Sequence, residues 1–155
     1  MAKIKKDVFL VENPLIKIDR EVKKHFYLFP YPDEYYPPKE IPLKCKITGP
    51  LTVKLIKCNS GYNEEVLKEI DKRGYILVPT PYLLGLGIKY PEIHKKYKNI
   101  VSLDVENIFL RRKVKYFLNL SWSNWNKSRK KWEINTLNWC GRWYKNKWWF
   151  AVTAK

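Results

Sequence analysis

The chain has 155 residues, 31 Lys and Arg against 15 Asp and Glu, a formal charge of +16 and a pI near 9.7. That length fits one domain able to bury roughly two-thirds of its unfolded surface, and the charge points to an acidic partner such as nucleic acid, anionic lipid or an acidic protein. Lys outnumbers Arg 25 to 6, and base edges are read best by bidentate Arg, so the composition argues against sequence-specific DNA recognition.

Asp7 to Val11 reads as a short first strand closed by Asn13-Pro14. Leu15, Ile18, Val22 and Phe26 then recur at helical spacing, and either a helix or an irregular strand fits 15–27. Phe29 to Pro38 carries four prolines among four aromatics and reads as an extended surface loop. A hairpin is expected next: Ile41, Leu43, Cys45 and Ile47 alternate with lysines, and after Gly49-Pro50 the alternation resumes with Leu51, Val53 and Leu55.

Asn63 is read as the cap of a first helix, with Glu64 and Glu65 in its first turn, Lys72 and Arg73 in its last, and Gly74 beyond. Its buried stripe is Val66, Leu67 and Ile70. A short strand at Tyr75 to Val78 leads to Thr80-Pro81, the start of a second helix that Gly85, Gly87 and Pro91 should shorten or kink. Asn99 to Asp104 returns to strand.

From Lys113 to Trp122 apolar and polar residues alternate strictly, the mark of a half-buried strand. A second run, Lys131 to Cys140, shifts phase after Ile134 and predicts a bulge near Thr136. A third, Trp148 to Thr153, follows the polar link Tyr144 to Lys147, which is short enough for a hairpin. Strands at both ends and two helices between them imply a single α+β domain, 1–155, with the helices on one face of the sheet.

Catalytic and metal-binding patterns are absent from this order. His25 and His94 lie in unrelated segments, and Cys45, Cys58 and Cys140 show no paired spacing, so neither a metal site nor a cofactor is expected. Pro32-Asp33 opens a nuclease-like carboxylate pair that nothing later completes. Asp104 and Glu106 would share a face of an extended segment, but a solvated face accounts for them equally. Gly85-Leu86-Gly87 lacks the third glycine of a dinucleotide loop. In the expected hairpin Cys45 lies opposite Lys54, about 13 Å along the strand from Cys58, which excludes a disulfide in that register and favours reduced cysteines. The apolar run Val8 to Val11 is too short for a signal peptide, and no segment reaches the roughly 18 apolar residues of a membrane span. Cytoplasmic synthesis is therefore expected, and any surface association would come through a partner.

All seven tryptophans lie in the last 45 residues, Arg111 to Lys155, with twelve Lys or Arg and one acid, Glu133; twelve less one is +11 of the total +16. Seven indoles cannot all face inward from three short strands. Between them stand Ser121, Ser123, Asn124, Asn126, Ser128, Asn138, Cys140, Gly141, Arg142, Tyr144 and Asn146. Rigid aromatics mixed with small polar residues are what adaptable binding surfaces are built from.

Two central helices, a C-terminal sheet, a Trp- and Asn-rich loop region and the closing strand Phe150-Ala151-Val152 resemble the variable proteins of diversity-generating retroelements, which have a C-type-lectin-like fold. The resemblance covers about half the chain. It implies a non-enzymatic ligand-binding protein with a variable region at 117–149, in which miscopied template adenines diversify codons of the AAC type. Such codons yield Asn, Ser, Tyr, Cys, Arg, Gly, Asp, His and others, but never Trp or Lys. The eleven residues just named would then be the varying positions, and Trp122, Trp125, Trp132, Trp139, Trp143, Trp148 and Trp149 the invariant frame, facing a protein ligand. An alternative reading is a single-stranded nucleic-acid-binding accessory protein, with Lys127, Arg129, Lys130, Lys131, Arg142, Lys145 and Lys147 on phosphates and aromatic rings stacked on bases. A carbohydrate module using exposed tryptophans is a third.

Overall fold

A computed structural model describes residues 7–18, 26–28, 41–59, 61–111, 114–122, 132–138, 142–143 and 147–155. The loop expected at Phe29 to Pro38, Asp33, His25 and Cys140 lie outside them. The strands are β1 (Val8–Val11), β2 (Lys17–Ile18), β3 (Phe26–Leu28), β4 (Ile41–Pro42), β5 (Leu51–Ile56), β6 (Gly61–Tyr62), β7 (Tyr75–Leu77), β8 (Asn99–Val101), β9 (Phe109–Arg111), β10 (Val114–Ser121), β11 (Trp132–Asn138), β12 (Arg142–Trp143) and β13 (Trp149–Ala154). The helices are α1 (Asn63–Lys72) and α2 (Thr80–Lys89). The fold is α+β, as expected, and no helix among the described residues is long and apolar enough to cross a membrane.

Its main sheet runs β1-β5-β13-β8-β10-β11-β3, with β7 paired farther along β13 and β9 farther along β10. The β13–β8 and β11–β3 ladders are parallel and the others antiparallel, so the sheet is mixed. Strands from near both termini share it, with β5 between β1 and β13.

Adjacent residues along these strands enter different cores. Leu55, Ile100, Leu118, Leu120 and Ala151 join α2 in one, whereas Ile56, Val101, Phe117, Phe150 and Val152 join α1 in the other. Because side chains alternate across a sheet, the two helices cover opposite faces, not one face as the element order suggests. That corrects the half-buried reading of β10: Asn119 and Ser121, on its polar parity, are buried as well.

Three other local expectations give way to nonlocal pairing. Residues 43–50 form no strand; β4 pairs with β2, while β5 pairs with β1 and β13. The backbone of Lys44 bonds instead to the Asn107 side chain, its N–H at 2.7 Å from Oδ1 and its carbonyl at 2.9 Å from Nδ2. Cys45 and Cys58 are nonetheless both free thiols, although the hairpin register from which that was argued does not form. The β10–β11 ladder runs one for one from Ser121 opposite Glu133 to Tyr116 opposite Asn138, without the bulge expected at Thr136. A change of apolar phase requires no bulge where both sheet faces are covered. Nor does β13 fold back on β12, which pairs with β6; it inserts between β5 and β8.

The helices follow local signals more closely. α1 starts one residue earlier than the capping expectation: Tyr62 is the cap, its N–H held by Glu65 Oε1 at 3.1 Å, and Asn63 is the first helical residue. Gly74, at φ 87°, ends it as the glycine position implies. α2 runs unbroken through both glycines, with 80–87 buried on all sides. The segment 15–27 shows strand at both of its described stretches, β2 and β3.

A candidate binding end of the sheet

The ends of β5 and β10 and the starts of β8, β11 and β13 meet at one side of the domain. Trp149 stands opposite Ile100 at the start of β8, and Trp122, just past β10, donates its N–H to the Lys98 carbonyl at 2.8 Å. Trp132, opening β11, lies edge-on to Trp122 with ring centroids 5.4 Å apart. This end is therefore framed by tryptophans that the sheet register aligns.

Their burial divides them into anchors and rims. Trp132 is fully buried in the α2-side core, and Trp143 is buried in the α1-side core, its indole N–H donating to Asn63 Oδ1 at 2.6 Å. Trp143 also meets Trp148 and Phe150 edge-on at 5.1 and 5.3 Å. Trp122, Trp148 and Trp149 are only half-buried. The Trp122 ring stacks on His94 at 3.7 Å and 13° between planes. Trp149 carries two cations, Lys57 Nζ at 4.8 Å and Lys96 Nζ at 5.7 Å from its centroid, contacts that contribute about 0.5–1 kcal/mol each where exposed. Asp7 bonds both Lys96, at 2.8 Å, and the Tyr97 hydroxyl, fixing that side of the cluster.

Of the eleven positions read as varying, the described residues hold three. Ser121 is buried in the β10–β11 ladder opposite Glu133, so it is not an outward-facing position. Asn138 ends β11 opposite Tyr116, about 17 Å along the ladder from Ser121. Arg142 is exposed, its guanidinium 5.9 Å from the ring of Tyr62. Ser123, Asn124, Asn126, Ser128, Cys140, Gly141, Tyr144 and Asn146 lie outside the described residues, as do Trp125, Trp139, Lys127, Arg129, Lys130, Lys131 and Lys145.

His94, Lys57, Lys96 and Tyr62 enter this cluster without a signal in the sequence, since each meets a side chain far along the chain. Asp104, in contrast, is a structural acid. It is buried and accepts from Thr80 N–H at 2.8 Å, Glu106 N–H at 3.1 Å and Asn107 Nδ2 at 2.6 Å, which ties the start of α2 to the 3-10 turn Val105–Asn107. Among the described residues no group of His, Cys, Asp and Glu is arranged to hold a metal. Comparison with protein-family models, with curated proteins and with solved structures finds no match.

Proposed function

We propose that this chain is a non-enzymatic ligand-binding protein that presents a diversifiable C-terminal surface, braced by its tryptophans, on a C-type-lectin-like scaffold, to a protein ligand. The observation that carries the reading is the split between Trp132 and Trp143, each locked in a different core, and the half-buried Trp122, Trp148 and Trp149 around them. Anchors of the first kind let intervening short side chains change without disturbing the cores. Ser121, being buried, belongs to the invariant frame on this reading. The test is to sequence sister copies of the gene and the surrounding DNA. Differences should concentrate at Ser123, Asn124, Asn126, Ser128, Asn138, Cys140, Gly141, Arg142, Tyr144 and Asn146, spare every Trp and Ser121, and accompany a near-identical template repeat and a reverse transcriptase gene. Identical C-termini in several isolates, with no repeat nearby, would end the proposal.

A second reading, binding of single-stranded nucleic acid, is favoured by one arrangement: exposed Lys96 and half-buried Lys57 both set their ammonium groups over the ring of the half-buried Trp149. The same end would then place cations on phosphates and a ring face under a base. Binding of an oligothymidylate should weaken steeply with added salt under this reading; a flat response removes it.

A further inference from the structure

A cleft of about 510 Å3 runs beside β7, away from the tryptophan-framed end. Its lining draws on both faces of the sheet, from Leu67 and Ile70 of the α1-side core to Cys45 and Ile47 on the α2 side. Val105 and Ile76 complete it, and both are exposed, at 55% and 42%.

The ladder decides which backbone groups of β7 face that cleft. Val78 N–H donates to the Ala151 carbonyl and Lys155 N–H to the Gly74 carbonyl, each at 3.3 Å, in the same register that sets Ile76 opposite Thr153. Bonded and non-bonded residues alternate in an antiparallel pair. Gly74, Ile76 and Val78 are thus turned toward β13, and Tyr75 and Leu77 aim their N–H and C=O groups away from it. Among the described residues β7 has no strand partner besides β13. A free edge flanked by exposed apolar side chains is a template for another strand.

The charges around the cleft indicate what that strand carries. Of the three carboxylates in the lining, Asp71 is engaged by Lys155 at 2.6 Å, Glu106 by Lys46 at 3.5 Å and the buried Asp104 by three N–H donors, while Lys44, also in the lining, has no carboxylate partner among the described residues. A second copy of a chain bearing +16 would be repelled. We propose that the outer edge of β7 is a docking strand for an extended, acid-bearing peptide of another protein. That peptide bonds to the backbone of Tyr75 and Leu77, lays apolar side chains beside Ile76 and Val105, and sets a carboxylate near Lys44.

The experiment uses the full chain and a pool of peptides about nine residues long that alternate glutamate with valine, isoleucine or tyrosine. Amide hydrogen exchange should slow by about tenfold or more at Tyr75 and Leu77 when the peptides bind. Val105→Ser and Lys44→Gln, both at exposed sites, should each weaken binding about fivefold without lowering the melting temperature. The same peptides with alternate backbone amides N-methylated should not bind, because they cannot complete the ladder. Failure of the pool to bind, unchanged exchange at Tyr75 and Leu77, or equal binding of the methylated peptides overturns the proposal. Protection confined to Trp122 and Trp149 also overturns it, as general attraction to the basic end. Self-association that protects β7 without peptide would overturn it in favour of a second copy.

Discussion

Cys58 illustrates how one side chain's chemistry follows from its neighbours. It is buried beneath α1, and burial, with the adjacent Glu69 carboxylate that its thiol hydrogen-bonds, pushes the thiol up to about 12 against a weaker opposing pull from Arg73. Glu69 is itself held below the usual carboxylate range. Burial raises it, but the Asn59 N–H at 2.9 Å and the Arg73 guanidinium at 3.1 Å outweigh that. A thiol so far up holds almost no thiolate at pH 8, and the thiolate is the nucleophile. Iodoacetamide at pH 8 should therefore leave Cys58 unmodified in the native chain and label it fully in urea, as peptide mass spectrometry would report. Labelling of native Cys58 as fast as in urea would contradict the burial described. Cys45 and Cys58 are unpaired, but the hairpin register from which that was expected does not form. Glu69 as the partner of Cys58 was not legible in the sequence, because nothing in an α1 pattern of acids and lysines says what lies beneath it.

At the scale of the element, α2 shows a local rule applied to the wrong cause. Two glycines in ten residues ordinarily weaken or bend a helix, yet α2 is continuous because its glycines allow close approach on two sides. A Cβ at Gly85 would stand 2.6 Å from the Asn13 carbonyl and 2.9 Å from Val11 Cγ1, and one at Gly87 would stand 2.9 Å from both Leu120 Cδ1 and Phe26 Cε1. The helix-propensity gain of alanine, about 1 kcal/mol, is set against overpacking of about 1–3 kcal/mol. Gly85→Ala should destabilise the chain by about 2 kcal/mol and Gly87→Ala by less, since Gly85 meets backbone and Gly87 only side-chain ends. Chemical denaturation of both variants checks the order; an equal or reversed effect would mean that α2 does not seat against Val11 and Asn13.

For the whole molecule, β13 is the strand on which the sheet closes. It contacts β5, β7 and β8 at once, and Phe150, Ala151 and Val152 are buried, in opposite cores. Removing its large apolar side chains forfeits about 1.5–3 kcal/mol each, a large share of the roughly 5–15 kcal/mol that keeps a domain folded. A chain ending at Trp148 should lack a cooperative thermal transition by circular dichroism, whereas one ending at Thr153 should keep it. The sequence by itself determined the elements with local signatures: α1 through its acids, lysines and Gly74, the existence of β10, β11 and β13 through their side-chain patterns, and the α+β class through the order of these. Tertiary structure alone decided that β5 joins β1 and β13, that both sheet faces are covered, that Ser121 is sealed in, and that Trp122 stacks on His94. Caps and periodicity are settled within a few residues of chain, but a strand's pattern of apolar positions carries no address for its neighbour. Which strands pair is chosen by burial summed over the whole sheet.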